Sequence, residues 1–170
     1  MQTEPRATSP PAIDTRPLPP AGQRSGEGLK SVLEHLLIDP ARRVSEAGHE
    51  IGCHTFSHLD CGQASTQVAL DDVAQNTDAL ASWGVGEAVS FAYPYGDVAS
   101  PAKTALAGRF KTLRALHHGL IANGADLNQA PAVGIEGEDG ESVANAWLDK
   151  AKARKAWLIL YTHEIGRAHV

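Results

Sequence analysis

The chain alternates short apolar runs with amphipathic helical segments, and this alternation limits what it can fold into. Turn residues such as Gly and Pro separate the segments. The pattern is typical of a parallel sheet or an α/β barrel, in which helices cover the strands. The predicted strands are residues 50–54, 88–92, 110–116, 131–135 and 157–161, and the predicted helices are residues 31–38, 41–47, 67–83, 101–107 and 142–155.

Three chemically distinctive groups follow predicted strands. His54 ends the first strand, the turn at residues 93–96 follows the second, and His163 follows the last. In parallel α/β folds, binding and reacting side chains gather at the C-terminal ends of strands. We therefore expect the three groups on one rim of the fold.

His54 and His58 are four residues apart, so one helical turn or a tight loop would bring both imidazoles to one metal ion. Thr55 stands where a helical zinc protease has its catalytic Glu, which excludes that class. Polar or packing roles for the two histidines stay open at this point. A structural zinc site of Cys53, His58 and Cys61 is disfavoured, because neighbouring residues of a strand alternate sides.

Other titratable residues have ordinary interpretations beside functional ones. His163 ends an apolar run and is either a general acid or base or a half-buried histidine closing a strand. Asp71 and Asp72 suggest metal ligands, but a solvated face near the favourable end of a helix explains them better. The two cysteines are expected to be reduced, since a strand and its following loop do not guarantee disulfide geometry.

Length and charge restrict the class of protein. The 170 residues fit one domain, and 42% hydrophobic residues suffice for a core. A net charge of −5, with both signs mixed along the chain, argues against nucleic acid or an anionic membrane as partner. No apolar run approaches the roughly 20 residues of a membrane-spanning helix. No secretory signal is visible either, and the sequence does not assign a compartment.

Three motifs together suggest a family. Residues 48–58 read Gly-His-Glu-Ile-Gly-Cys-His-Thr-Phe-Ser-His. They resemble the second motif, His-Ser/Thr-x-x-His, of the polysaccharide deacetylases of carbohydrate esterase family 4, the NodB-homology domain. Residues 91–96, Phe-Ala-Tyr-Pro-Tyr-Gly, are similar to the third motif, and residues 158–163 to the fifth, a Leu followed by His at a strand end. The three motifs occur in the family's order.

The resemblance implies a distorted (β/α) barrel, incomplete at its N-terminus, that removes acetyl groups from an acetylated polysaccharide or oligosaccharide. His54 and His58 would bind a divalent ion, usually zinc, that polarises the acetyl carbonyl and the attacking water. The backbone N–H of Tyr95 would bind the oxyanion, and His163 would protonate the leaving amine. The substrate-binding residues implied are Pro94, Tyr95 and Gly96.

Two rival functions remain at this point. The same site would serve an esterase that removes O-acetyl groups, and the same scaffold would serve a non-catalytic carbohydrate-binding or interaction domain. Substrate-selecting loops carry no recognisable pattern here, so the sequence does not choose among these functions.

Two of the family's motifs have no match. The first, an Asp-Asp pair that supplies the catalytic base and the third metal ligand, is missing: Asp14 lies in a Pro-rich tract and Asp39 precedes Pro40, and neither follows an apolar strand. The Trp of the fourth motif is also missing, with Asp126 or Glu136 as candidates for that region. We therefore expect weak metal binding and little turnover from the chain as written.

The ends of the chain differ in composition from its centre. Residues 1–28 are rich in Pro, Arg, Ala and Ser, and we expect a disordered leader or an out-of-frame translation. Residues 29–164 are expected to be the partial deacetylase domain. Residues 165–170, Ile-Gly-Arg-Ala-His-Val, match the translation of a common sequencing adapter, so we expect an artefact there.

Overall fold

The computed structural model describes Leu36 and residues 38–163. Residues 1–28 and 165–170, and nearly all of the predicted helix at 31–38, lie outside the described residues, so those predictions stay predictions. Among the described residues, no helix combines the length and the apolar character needed to cross a membrane.

The helices lie close to their predicted positions because their ends carry recognisable signals. The Ser65 hydroxyl accepts a hydrogen bond from the Val68 N–H and caps the longest helix. Proline opens two others at their first turn. The helices are α1 (Asp39–Glu46), α2 (Thr66–Ser82), α3 (Ser100–Leu106) and α4 (Gly140–Arg154), with 3₁₀ turns at Pro94–Gly96 and Leu127–Gln129.

The strands are short and parallel. They are β1 (Ser90–Ala92), β2 (Thr112–Arg114), β3 (Val133–Gly134) and β4 (Leu160–Tyr161). β1 pairs with β2, and β3 pairs with β4. Single parallel bridges join Cys53 to Phe91 and Arg114 to Ala130. The helix–strand alternation and the parallel pairing are therefore present, in the order Cys53 segment, β1, β2, residues 130–134, β4.

A closed barrel is not confirmed. Within the described residues, the two parallel pairs are joined only by the Arg114–Ala130 bridge, and the outermost segments do not meet. The predicted strand at 50–54 shrinks to one bridge at Cys53, whose N–H and C=O both bond to the β1 side. Gly52 and His54 direct their backbone groups the other way, where the described residues supply no strand.

The core lies on one face of the strands. Cys53, Phe91 and Leu113 are buried there against residues of α2 and α3. In α2 the buried positions are Ala69, Val73 and Leu80. Alternate residues of the strands face the other way. There they line a cavity of about 470 Å³, which Trp157 and Ile159 border from the opposite edge.

Two predictions about burial are wrong. The apolar spacing in the predicted helix 67–83 places Val68 on one face with Val73, Leu80 and Trp83, but Val68 is 50% exposed and Ala69 takes the buried position. The apolar run at residues 157–161 predicts a strand that is buried, but Trp157 is 54% exposed and only Leu160–Tyr161 form β4. Both errors follow from tertiary packing, because α3 determines which side of α2 is covered and β4 has a described neighbour on one side only.

Candidate active site

The two histidines of the second motif, His54 and His58, face each other across a tight loop. The ring centroids of His54 and His58 are 4.9 Å apart, with the rings nearly perpendicular. The loop turns sharply because Thr55 and His58 both have a positive φ, of 60° and 58°. Of the two arrangements considered from the sequence, helix turn or tight loop, the structure contains the loop.

One ring nitrogen of His54 is engaged, and the other has no partner among the described residues. Its Nδ1 lies 2.7 Å from the carbonyl oxygen of Ala92. Because a carbonyl only accepts hydrogen bonds, Nδ1 carries the proton and Nε2 keeps its lone pair. Burial lowers the pKa of His54, and the charges of His58, Arg114 and His163 lower it further. The imidazole is therefore neutral near pH 7, the form in which histidine binds metals.

The turn at Pro94–Gly96 lies beside this pair. The Tyr95 ring is 4.8 Å from that of His58 and is 65% exposed. Tyr95 and Gly96 have φ values of 58° and 72°, so the chain reverses within two residues. Among the described residues, the Tyr95 N–H has no acceptor, whereas the Gly96 N–H bonds to Tyr93. The Tyr95 N–H is therefore able to donate to a ligand.

His163 is held by the carboxylate of Glu136, one of the two acids that the sequence offers for the region of the fourth motif. Glu136 Oε1 accepts hydrogen bonds from the His163 backbone N–H, at 2.8 Å, and from its ring Nδ1. His163 therefore has an orienting carboxylate, which Glu136 supplies. Of the two candidates named from the sequence, Asp126 instead forms an ion pair with Lys103. His163 lies near enough to lower the pKa of His54, but its ring contact is with Tyr161, at 5.6 Å.

Asp72 is a site residue that sequence reasoning missed. Its carboxylate accepts hydrogen bonds from the backbone N–H groups of Phe56 and Ser57. Burial raises the pKa of Asp72, but the hydrogen bonds from Ser57, Phe56 and Thr55 outweigh it and hold the pKa below its usual value. Asp72 is thus still partly exposed, as on a solvated helix face, but its carboxylate is bound to the loop. Asp71 is exposed and accepts only from a glutamine side chain of the same helix among the described residues.

Arg114 is a second missed residue, on the cavity face of β2. Its Nη1 atom is buried and has no hydrogen-bond partner among the described residues. The guanidinium lies 5.1 Å from the centre of the Tyr161 ring. Burial lowers the pKa of Arg114, which is the expected effect of removing a cation from water without a counter-ion. This nitrogen is a donor available to an anionic group in the cavity.

The residues present fit part of a zinc site. Two imidazoles whose ring centres are this close match two corners of a tetrahedral site. The portion of the chain that the structure describes contains no cluster of three His, Cys, Asp or Glu side chains able to hold an ion. The alternative site of Cys53, His58 and Cys61 is thus not formed there. Both cysteines are free, buried thiols, and burial raises the pKa of Cys61 to about 11.

Comparison with known families supports the motif assignment. A family model described as polysaccharide deacetylase matches residues 30–109. The match covers His54, His58 and the Pro94–Gly96 turn, and it ends before His163. No curated protein gives a significant match to the chain.

Proposed function

Residues 30–109 belong to the polysaccharide deacetylase family, and from this membership we propose that the chain is part of a metal-dependent hydrolase acting on N-acetylated sugars of a polysaccharide. The family carries a deacetylase function, the hydrolysis of a carbon–nitrogen bond. The observation that carries the proposal to this chain is the pair His54 and His58, whose rings lie 4.9 Å apart with His54 Nε2 free. Two imidazoles whose ring centres lie this close can direct a nitrogen each to one divalent ion.

The chain's own groups have defined roles in this proposal. His54 and His58 would hold the ion, which we propose is zinc, and a bound zinc ion polarises a carbonyl and an attacking water. The Tyr95 N–H, which has no acceptor among the described residues, would donate to the oxyanion of the acetyl carbon. The residues of the turn, Pro94, Tyr95 and Gly96, would contact the substrate.

Proton transfer to the leaving amine is assigned to His163. Its Nδ1 is engaged by Glu136, so Nε2 is the nitrogen that would carry the transferred proton. A carboxylate on the far nitrogen keeps the ring in one tautomer and one orientation, as general acid catalysis requires. Glu136 thereby acts on the reaction through His163, without contact to the substrate.

A non-catalytic carbohydrate-binding domain is the second candidate function. It is favoured by the lack of any third metal-binding side chain beside the histidines, within the residues described. Without that ligand and without a carboxylate base, we propose that the chain as written binds zinc weakly and turns over little substrate. The histidines would then be polar residues on the rim of a sugar-binding surface.

Zinc binding by the full 170-residue chain tests the proposal. Isothermal titration should give a weak site that is lost in His54→Ala and in His58→Ala, but kept in His118→Ala, a matched change at an exposed histidine packed on Trp147. Zinc binding that is unaffected by His54→Ala and His58→Ala would refute it. Acetate release from a chitooligosaccharide, compared with acetylated xylan, separates N-deacetylation from O-deacetylation.

A further inference from the structure

The loop that carries the two histidines is held in an unfavourable backbone conformation. Thr55 has a φ of 60° although it is β-branched, and His58 has a φ of 58°. Residues other than glycine rarely adopt such values, and β-branched residues least of all. Such conformations persist only where surrounding contacts hold them, and they are frequent at functional sites. The contacts that hold this loop therefore decide where the two imidazoles lie.

Asp72 makes those contacts at the middle of the loop. Its Oδ1 accepts hydrogen bonds from the N–H groups of Phe56, at 2.7 Å, and Ser57, at 3.0 Å. Its Oδ2 accepts a third from the Ser57 hydroxyl, at 2.8 Å. Phe56 and Ser57 are the two residues directly before His58. One carboxylate thus uses both oxygens to fix the segment that leads into the second histidine.

The position of Asp72 is itself fixed by the core. It precedes Val73, which is buried among the residues between α2 and the strands. On the other side of the loop, the buried Thr55 hydroxyl accepts a hydrogen bond from the Leu59 N–H at 2.9 Å. The loop is therefore held at one end by its own threonine and in its middle by a side chain anchored on a packed helix.

We propose that Asp72 is a positioning residue for the histidine pair: it fixes the backbone of Phe56 and Ser57 and so keeps the His58 ring beside His54 in the orientation that binds a divalent ion. Asp72 does not touch the ion. The proposal concerns the same site as the proposed function and, for the metal, rests on it. The placement of the rings in the metal-free chain is a separate property that does not depend on it.

Two measurements on the full chain test this role, with Asp71→Ala as a control one residue away that removes the same charge. In the metal-free chain, the nuclear Overhauser effect between the rings of His54 and His58 should be lost in Asp72→Ala and kept in Asp71→Ala. Zinc affinity, measured by competition with a chromophoric chelator, should fall about 10- to 100-fold in Asp72→Ala, as for other groups that orient metal ligands. Asp71→Ala should bind as the unaltered chain does.

The conservative variant Asp72→Asn separates positioning from folding. Its amide oxygen still accepts from both backbone N–H groups, but its NH₂ cannot accept the Ser57 hydroxyl. We expect the ring contact and the zinc affinity of Asp72→Asn to lie between those of Asp72→Ala and those of Asp71→Asn, because only the Ser57 hydroxyl bond is lost. Amide exchange at Leu113, in the core, should stay slow in every variant, while exchange at Phe56 and Ser57 should accelerate in Asp72→Ala.

The outcomes are separable. An unchanged ring contact in a folded Asp72→Ala overturns the positioning role, and so does an equal loss in Asp71→Ala. If Asp72→Ala unfolds, Asp72→Asn decides, with Asp71→Asn as its control. Equal zinc affinity and equal ring contact in these two variants leave no role for the Ser57 hydroxyl bond and overturn the assignment. A loss in Asp72→Asn alone supports it. If the unaltered chain binds no zinc, the proposed function fails, and the ring contact still tests the position of the histidines.

Discussion

Gly96, at the end of the Pro94–Gly96 turn, should be intolerant of any side chain. It has a φ of +72°, and a Cβ added there would lie 2.7 Å from the backbone nitrogen of Leu116. Backbone atoms cannot move aside as the end of a flexible side chain can. Replacement by alanine therefore adds a steric clash to the strain of a left-handed conformation.

Gly84 separates the two costs. It has nearly the same φ, +73°, but an added Cβ would meet nothing within 4 Å. Gly84→Ala should thus report the conformational strain alone, about 1–2 kcal/mol. Gly96→Ala should cost a further amount of about 1–3 kcal/mol, the usual effect of overpacking. The free energy of unfolding should therefore fall by about 2–5 kcal/mol in Gly96→Ala.

Urea unfolding followed by tryptophan fluorescence measures both changes. With a denaturant dependence of about 2 kcal/mol per molar urea, the midpoint of Gly96→Ala should lie about 0.5–1.5 M below that of Gly84→Ala. Equal midpoints for the two variants would refute the reasoning, because the close approach of Leu116 would then have no energetic consequence. A midpoint for Gly84→Ala equal to that of the unaltered chain would refute the strain argument separately.

Three further predictions concern two buried thiols, an ion pair and a buried hydroxyl. Cys53 and Cys61 are buried and their pKa values are raised, so Ellman's reagent at pH 8 should label neither thiol until urea unfolds the chain; fast labelling in the folded state would contradict this. Hydrogen bonding from Lys103 lowers the pKa of Asp126, so this group contributes stability that is full above pH 3.8 and is lost as the pH falls through its lower folded-state pKa. Asp126→Asn should therefore slightly lower the urea midpoint at pH 7 and leave it unchanged at a pH below that folded-state value. Tyr93→Phe removes a buried hydroxyl that donates to a main-chain carbonyl at 2.9 Å, and should cost about 1 kcal/mol in the same assay.

The sequence alone determined the features that depend on neighbouring residues. The bounds of α2, Thr66–Ser82, lie within one residue of the prediction, because Ser65 and the apolar spacing along the helix are local signals. The histidine pair and the Pro94–Gly96 turn were likewise found from their spacing and order. These short motifs also identified the family that the match over residues 30–109 confirms.

Only the tertiary structure showed which distant side chains support those motifs. Asp72 reaches Phe56 from 16 residues away and Ser57 from 15, and Glu136 reaches His163 from 27 residues away. No local pattern distinguishes Asp72 from Asp71, since both occupy the first half of an amphipathic helix. What separates them is which side of α2 meets the loop, and that is decided by packing against the sheet.

The strands show the same division between local and distant causes. Each predicted strand is present in part, but residues 50–54 pair only at Cys53, and β4 is limited to Leu160–Tyr161. A strand's sequence pattern records which side chains suit a sheet, whereas its length depends on hydrogen bonds from neighbouring strands. The sequence therefore determined the order of the helices and strands and the chemistry of their side chains. The tertiary structure decided how many residues of each strand pair, and that Asp72 and Glu136 hold His58 and His163 in place.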